Sequence, residues 1–118
     1  MGVRYAWCMQ SSSHFSAPDI PVGAPATTWT VRDVMALMES WYPAATAQSW
    51  DRVGLIVGDP DSPVRSILLA LDPTAAIADQ AVAGPHGDGN PYDMVITHHP
   101  LLLRGASFLP VTDPKGGV

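Results

Sequence analysis

Apolar residues recur at three- and four-residue spacing through Val31, Val34, Met35, Met38 and Trp41. That spacing is the stripe of a helix with one buried face. Thr30, with Asp33 three residues on, resembles a capping box and starts the helix. Pro43 ends it, because proline disfavours helical geometry at the residue before it. Residues 53–57 have the β-branched, apolar content of a short strand, and residues 58–63 (GDPDSP) are a dense group of turn formers. The run 64–71, VRSILLAL, predicts an interior strand covered on both faces. Asp72 as N-cap and Pro73 at the first helical position then open an Ala-rich helix over residues 75–83. After the breaker GPHGDGNP, residues 92–97 (YDMVIT) predict another strand. Strand, helix, strand is a βαβ unit with parallel strands and a right-handed crossover. The predicted class is α/β: a partial βαβ-type sheet with flanking helices.

Residues 1–29 fit none of this. The stretch QSSSHFSAPDIPVGAPATT has neither period and reads as a disordered extension, leaving 30–118 as the folded region. His14 in that stretch and His86 in the GPHGDGNP loop read as solvated side chains. At 118 residues the chain is one domain or part of one, and its 47% hydrophobic content supports a core. A formal charge of −5 opposes non-specific nucleic-acid binding, which needs a basic face. A single cysteine, Cys8, cannot form an internal disulfide, which suits a reducing, cytoplasmic setting. No apolar run approaches the roughly 20 residues that span a bilayer, so no membrane association is expected.

Ligands of a parallel sheet collect at the carboxyl ends of its strands. Two predicted strands end in useful chemistry, one at Asp72 and the other at His98-His99. Neutral imidazole is a ligand for zinc, iron, manganese and nickel. Adjacent residues on a regular strand face opposite ways, so one site can use both histidines only if the strand is ending; Pro100 supports such an end. The spacing alone leaves metal ligation and strand capping evenly balanced. Trp50-Asp51 reads first as a buried tryptophan beside a turn-making aspartate, and Asp113 before Pro114 as a turn residue. Phosphate-loop, dinucleotide and nucleophile-elbow motifs are absent, and no catalytic residue can be named.

Three segments in order, YPAATAQSWDRVGLIVG, ILLALDPT and DMVITHHPLLL, resemble the family of GTP cyclohydrolase 1 type 2 homologues, the YbgI-like dinuclear metal-binding proteins. The resemblance covers about residues 30–118. It implies a larger metal-binding α/β fold with a two-metal centre, often in ring-shaped homo-oligomers. It implies that His98 and His99 are metal ligands and places Trp50, Asp51, Asp72 and Thr74 near the pocket, with Asp72 able to orient a ligating histidine. Arg52 stands where the family usually has Asn, and the GPHGDGNP loop is longer than usual. The family's further ligands, an Asp on a later strand and a His and a Glu near the C-terminus, have no counterpart before Val118. The chain is therefore expected to be the N-terminal part of a longer protein or a truncated product.

Two functions follow as expectations. One is the N-terminal segment of a divalent-metal-dependent hydrolase acting on a small nucleotide or phosphoester, inactive by itself. The alternative is a metal-stabilised regulatory or protein-interaction module without catalysis.

Overall fold

The structure, a computed structural model, describes residues 28–118 and the backbone of residues 6–8. Strand β1 (Ala6–Cys8) is followed by β2 (Trp29–Thr30), helix α1 (Val31–Trp41) and a 3₁₀ turn at Ala44–Thr46. Then come β3 (Pro63–Val64), β4 (Ile67–Ala70), helix α2 (Ala75–Ala83) and β5 (Met94–Thr97). One sheet has the order β1-β5-β4 with both pairings parallel, and β2 and β3 form an antiparallel ribbon. The predicted βαβ unit is β4-α2-β5.

The capping box at Thr30 forms as the sequence predicts. The Thr30 hydroxyl accepts from the Asp33 N–H at 3.3 Å, and the Asp33 carboxylate accepts from the Thr30 N–H at 2.8 Å. These bonds to Thr30 hold the Asp33 carboxyl below the usual carboxylate range. Folding therefore favours the ionised form. The resulting stability is complete above about pH 4, the ordinary aspartate value, and is lost as pH falls through the lower folded value. In acid titrations of the melting temperature, Asp33→Asn is expected to fall less steeply than the native chain. Superimposable profiles would contradict this. Asp88, held low by bonds from Asn90, titrates in the same direction in both proteins and cancels in the comparison.

Two apolar clusters lie on opposite sides of the sheet. Val31, Val34 and Met38 of α1 pack with Val64, Met94 and Ile96; Ala81 of α2 packs with Leu68 and Val95. All four residues of β5 are buried, which makes it the strand enclosed on both faces.

Several elements depart from the sequence reading. Residues 53–57 form no strand, and only Leu55 makes an isolated bridge. Gly54 within the segment and Gly58 directly after it are both at φ +124, where an extended L-residue strand cannot continue. The run 64–71 splits at Arg65-Ser66, and β4 is bonded only to β5 among the described residues. It alternates in burial, with Leu69 at 72% exposure, instead of being covered on both faces. The split is fixed from a distance. Asp93 accepts from the Arg65 and Ser66 N–H groups at 2.9 and 3.0 Å and from the Ser66 hydroxyl at 3.1 Å.

The cap of α2 is Thr74, whose hydroxyl accepts from the Ile77 N–H, and not Asp72. Pro73 consequently precedes the cap instead of opening the helix. Of the stretch read as an extension, Ala6–Cys8 forms β1 and Trp29 belongs to β2. The backbone of β1 pairs in parallel with β5, on the side away from β4. His14 lies outside the described residues. Asp113 is the expected turn residue, its carboxylate accepting from the Lys115 N–H at 2.8 Å.

Candidate metal-ligand site

Parallel pairing aligns the ends of β4 and β5, with Ala70 opposite Thr97. Backbone bonds continue past both ends: the N–H of His98 donates to Ala70 O at 3.1 Å and that of His99 to Leu71 O at 3.0 Å. The chain after β5 thus stays beside the chain after β4 for two more residues, and His99 arrives at Asp72. Their side chains meet with Nδ1 2.6 Å from Oδ1. An ionised carboxylate can only accept, so against it Nδ1 is the donor, and in a neutral ring Nε2 is then the nitrogen with the lone pair.

Strand alternation would send His98 and His99 to opposite faces, but the strand has ended. The buried Thr97 hydroxyl donates to the His99 carbonyl at 2.7 Å, turning the backbone back on itself. The two imidazoles become neighbours, with centroids 4.6 Å apart and planes tilted by 57°. The His99 and Asp72 side chains remain about half exposed, so the group lies at the surface of the sheet rim.

The other expected pocket residues are held differently. Thr74 is the α2 cap. The Trp50-Asp51 pair inverts the sequence reading: Trp50 is 58% exposed and Asp51 only 8%. Asp51 Oδ1 accepts from the Arg52 N–H at 2.8 Å, while Oδ2 is buried without a hydrogen-bond partner among the described residues. Thr97 was missed as a positioning residue. Its signal was a hydroxyl residue closing an otherwise apolar strand directly before the histidines.

Imidazole pairs of this kind suit divalent metals from zinc to nickel, but catalytic zinc usually takes three protein ligands. The described residues contain no group of three or more His, Cys, Asp or Glu able to hold a metal ion. The adjacent donors described at this rim are the two imidazoles of His98 and His99, with Asp72 bonded to one of them.

The Duf34/NIF3 (NGG1p interacting factor 3) family profile matches residues 29–118. This chain belongs to the DUF34/NIF3 family. Curated relatives are called GTP cyclohydrolase 1 type 2 homolog. The Mycobacterium tuberculosis protein is 42% identical over 84 residues, 71% of this chain and 20% of the relative. The Streptomyces coelicolor protein is 40% identical over 86 residues, 73% of this chain and 28% of the relative. A crystal structure of a Staphylococcus aureus hypothetical protein matches with TM-score 0.68 and 34% identity, over 78% of this chain and 24% of that one. A Bacillus cereus protein related to NIF3 gives TM-score 0.67 and 29% identity, over 78% and 24%. The DUF34/NIF3 chain in hand spans about a quarter of these relatives and corresponds to their N-terminal part. Among its described residues no helix is long and apolar enough to cross a membrane.

Proposed function

We propose that His98 and His99 are two imidazole ligands of a divalent-metal centre whose other donors lie outside this region, and that Asp72 is the residue that orients His99. The observation that carries this reading is the 2.6 Å contact between His99 Nδ1 and Asp72. A carboxylate on one ring nitrogen fixes the tautomer and turns the other nitrogen into a directed donor, the usual arrangement behind a metal-bound histidine. When bound, the metal ions would lower the pKa of coordinated water and polarise a substrate oxygen. The chain's own part is to hold the imidazoles. Thr97 sets the backbone turn, the extended ladder aligns His99 with Asp72, and the carboxylate keeps Nε2 available.

The relatives' name supports a hydrolytic reaction on a small nucleotide or phosphoester in a protein that carries the remaining ligands. The assembly would be a homo-oligomer, and this chain alone would be inactive. In a protein uniting this region with those ligands, metal-dependent turnover on a nucleotide and phosphoester panel should vanish with His98→Ala. Full turnover by that variant would overturn the proposal. A metal-dependent rise in melting temperature without turnover on any substrate would favour a regulatory or interaction module. Asp72→Ala should weaken metal affinity by about 10–100-fold in a competition titration, with partial recovery in Asp72→Asn. Unchanged affinity in Asp72→Ala would remove the orienting role.

A further inference from the structure

The GPHGDGNP loop joins α2 to β5 and holds the one Asp-Gly step of the chain, Asp88-Gly89. Such a step is the most open to aspartate isomerisation, because glycine has no side chain to shield its amide nitrogen from the preceding carboxyl carbon. Both residues are exposed, and Gly89, at φ +79, has open space where a Cβ would stand. Each reacting group nevertheless has a partner. The Asp88 carboxylate accepts from the Asn90 N–H at 3.0 Å through Oδ1 and from the Asn90 side-chain amide at 2.9 Å through Oδ2. The Gly89 N–H donates to Ala83 O, at the end of α2, at 3.1 Å. Ring closure needs the Asp88 side chain to swing away from Asn90 and the Gly89 nitrogen to leave Ala83. The bonds from Asn90 also hold the Asp88 carboxyl below the usual carboxylate range, in the ionised form that is the poorer electrophile.

We infer that Asp88 is an isoaspartate-forming site gated by Asn90 and Ala83, reacting only from the state in which their bonds to Asp88 and Gly89 are open. In that step the Gly89 nitrogen bonds to Asp88 Cγ, and the carboxyl hydroxyl leaves with the nitrogen's proton as water. Water then adds to one carbonyl of the resulting cyclic imide and breaks one C–N bond. Opening at the former main-chain carbonyl sends the backbone through Cβ and leaves that carbonyl carbon as the new carboxylate. No atom is gained or lost overall, and solvent is the only co-reactant. The backbone gains one methylene between Asp88 and Gly89, and the loop is too tightly packed to absorb it. A Cβ on Gly84 would already lie 1.8 Å from the Asn90 carbonyl oxygen, and the Tyr92 N–H donates to Ala81 O at 2.9 Å. Isomerisation therefore strains the seam between the end of α2 and the entry to β5, beside the Asp93 carboxylate that holds Arg65 and Ser66.

The test incubates the chain at neutral pH in heavy-oxygen water and maps its peptides by chromatography and mass spectrometry. An isoaspartyl Asp88 peptide carrying one oxygen from solvent should accumulate slowly in the native chain. Asn90→Ala should speed its formation about fivefold, the weight of one lost hydrogen bond, and unfolding in urea should speed it further. Asp61-Ser62 is the internal control, an exposed aspartate before a small residue whose carboxylate is held by Arg32 at 2.8 Å. Its rate should be the same in the native chain and in Asn90→Ala. Equal Asp88 rates in those two proteins would overturn the inference, as would a native rate equal to that in urea. Acceleration at both Asp61 and Asp88 would trace to general unfolding and overturn the role given to Asn90.

Discussion

Met94→Ala is expected to destabilise the fold by about 2–5 kcal/mol, the range for removing a large buried aliphatic side chain. Met94 is 0% exposed and opens the strand that both apolar clusters share. It sits in one cluster with Val31, Val34 and Met38 of α1, so truncation leaves a void between sheet and helix. Urea denaturation monitored by circular dichroism should show a lower midpoint with little change in slope. Leu69→Ala is the matched control, one strand away on the same face but 72% exposed. It should stay within about 0.5 kcal/mol of the native chain. Equal losses in the two variants would mean that β5 is not the buried centre.

Gly84→Ala should have the second large effect. Gly84 ends α2 at φ 82 and ψ 173, a region open essentially to glycine alone. Strain from that conformation costs about 1–3 kcal/mol in any other residue. The space is closed as well: an added Cβ would lie 1.8 Å from the Asn90 carbonyl oxygen, a backbone atom that no rotamer change can move. The loop entering β5 would have to shift with it. Hydrogen exchange should show lost protection in α2 and in the loop around residues 84–92. Gly87→Ala, with φ 65 but open space around it, should cost less. Equal costs for Gly84→Ala and Gly87→Ala would contradict the role given to Asn90.

Local signals in the sequence carried much of this fold. Thr30 and Asp33 are three residues apart and satisfy each other without tertiary help, so the start of α1 was legible. Strand β5 was legible because its apolar run is buried on both faces. What failed depended on distant partners. Arg65 and Ser66 looked like part of one strand until Asp93, far along the chain, captured their N–H groups. Asp72 has the chemistry of an N-cap, but its carboxylate is engaged by His99 while Thr74 performs the capping. Leu69 has the composition of an interior residue, and its exposure depends on which surface lies opposite it.

The site was legible in the same uneven way. The rule that parallel strands gather chemistry at their carboxyl ends pointed to Asp72 and the histidines, and the structure joins them. The turn that puts both rings on one side depends on the Thr97 hydroxyl, which no periodicity reveals. The inverted burial of Trp50 and Asp51 has no signal in the local sequence, nor does the Asp51 oxygen that is buried without a hydrogen-bond partner among the described residues.

The most direct test of the metal reading is a zinc titration of this chain followed by NMR of the imidazole nitrogens. Two ligands, with no third donor grouped with them among the described residues, should give saturable binding weaker than micromolar. The Nε2 resonance of His99 and a ring nitrogen of His98 should shift together, and His98→Ala should abolish the response of both. Imidazole resonances that stay in place throughout the titration, or a His99 shift that survives in His98→Ala unchanged, would contradict a shared metal centre at the end of β5.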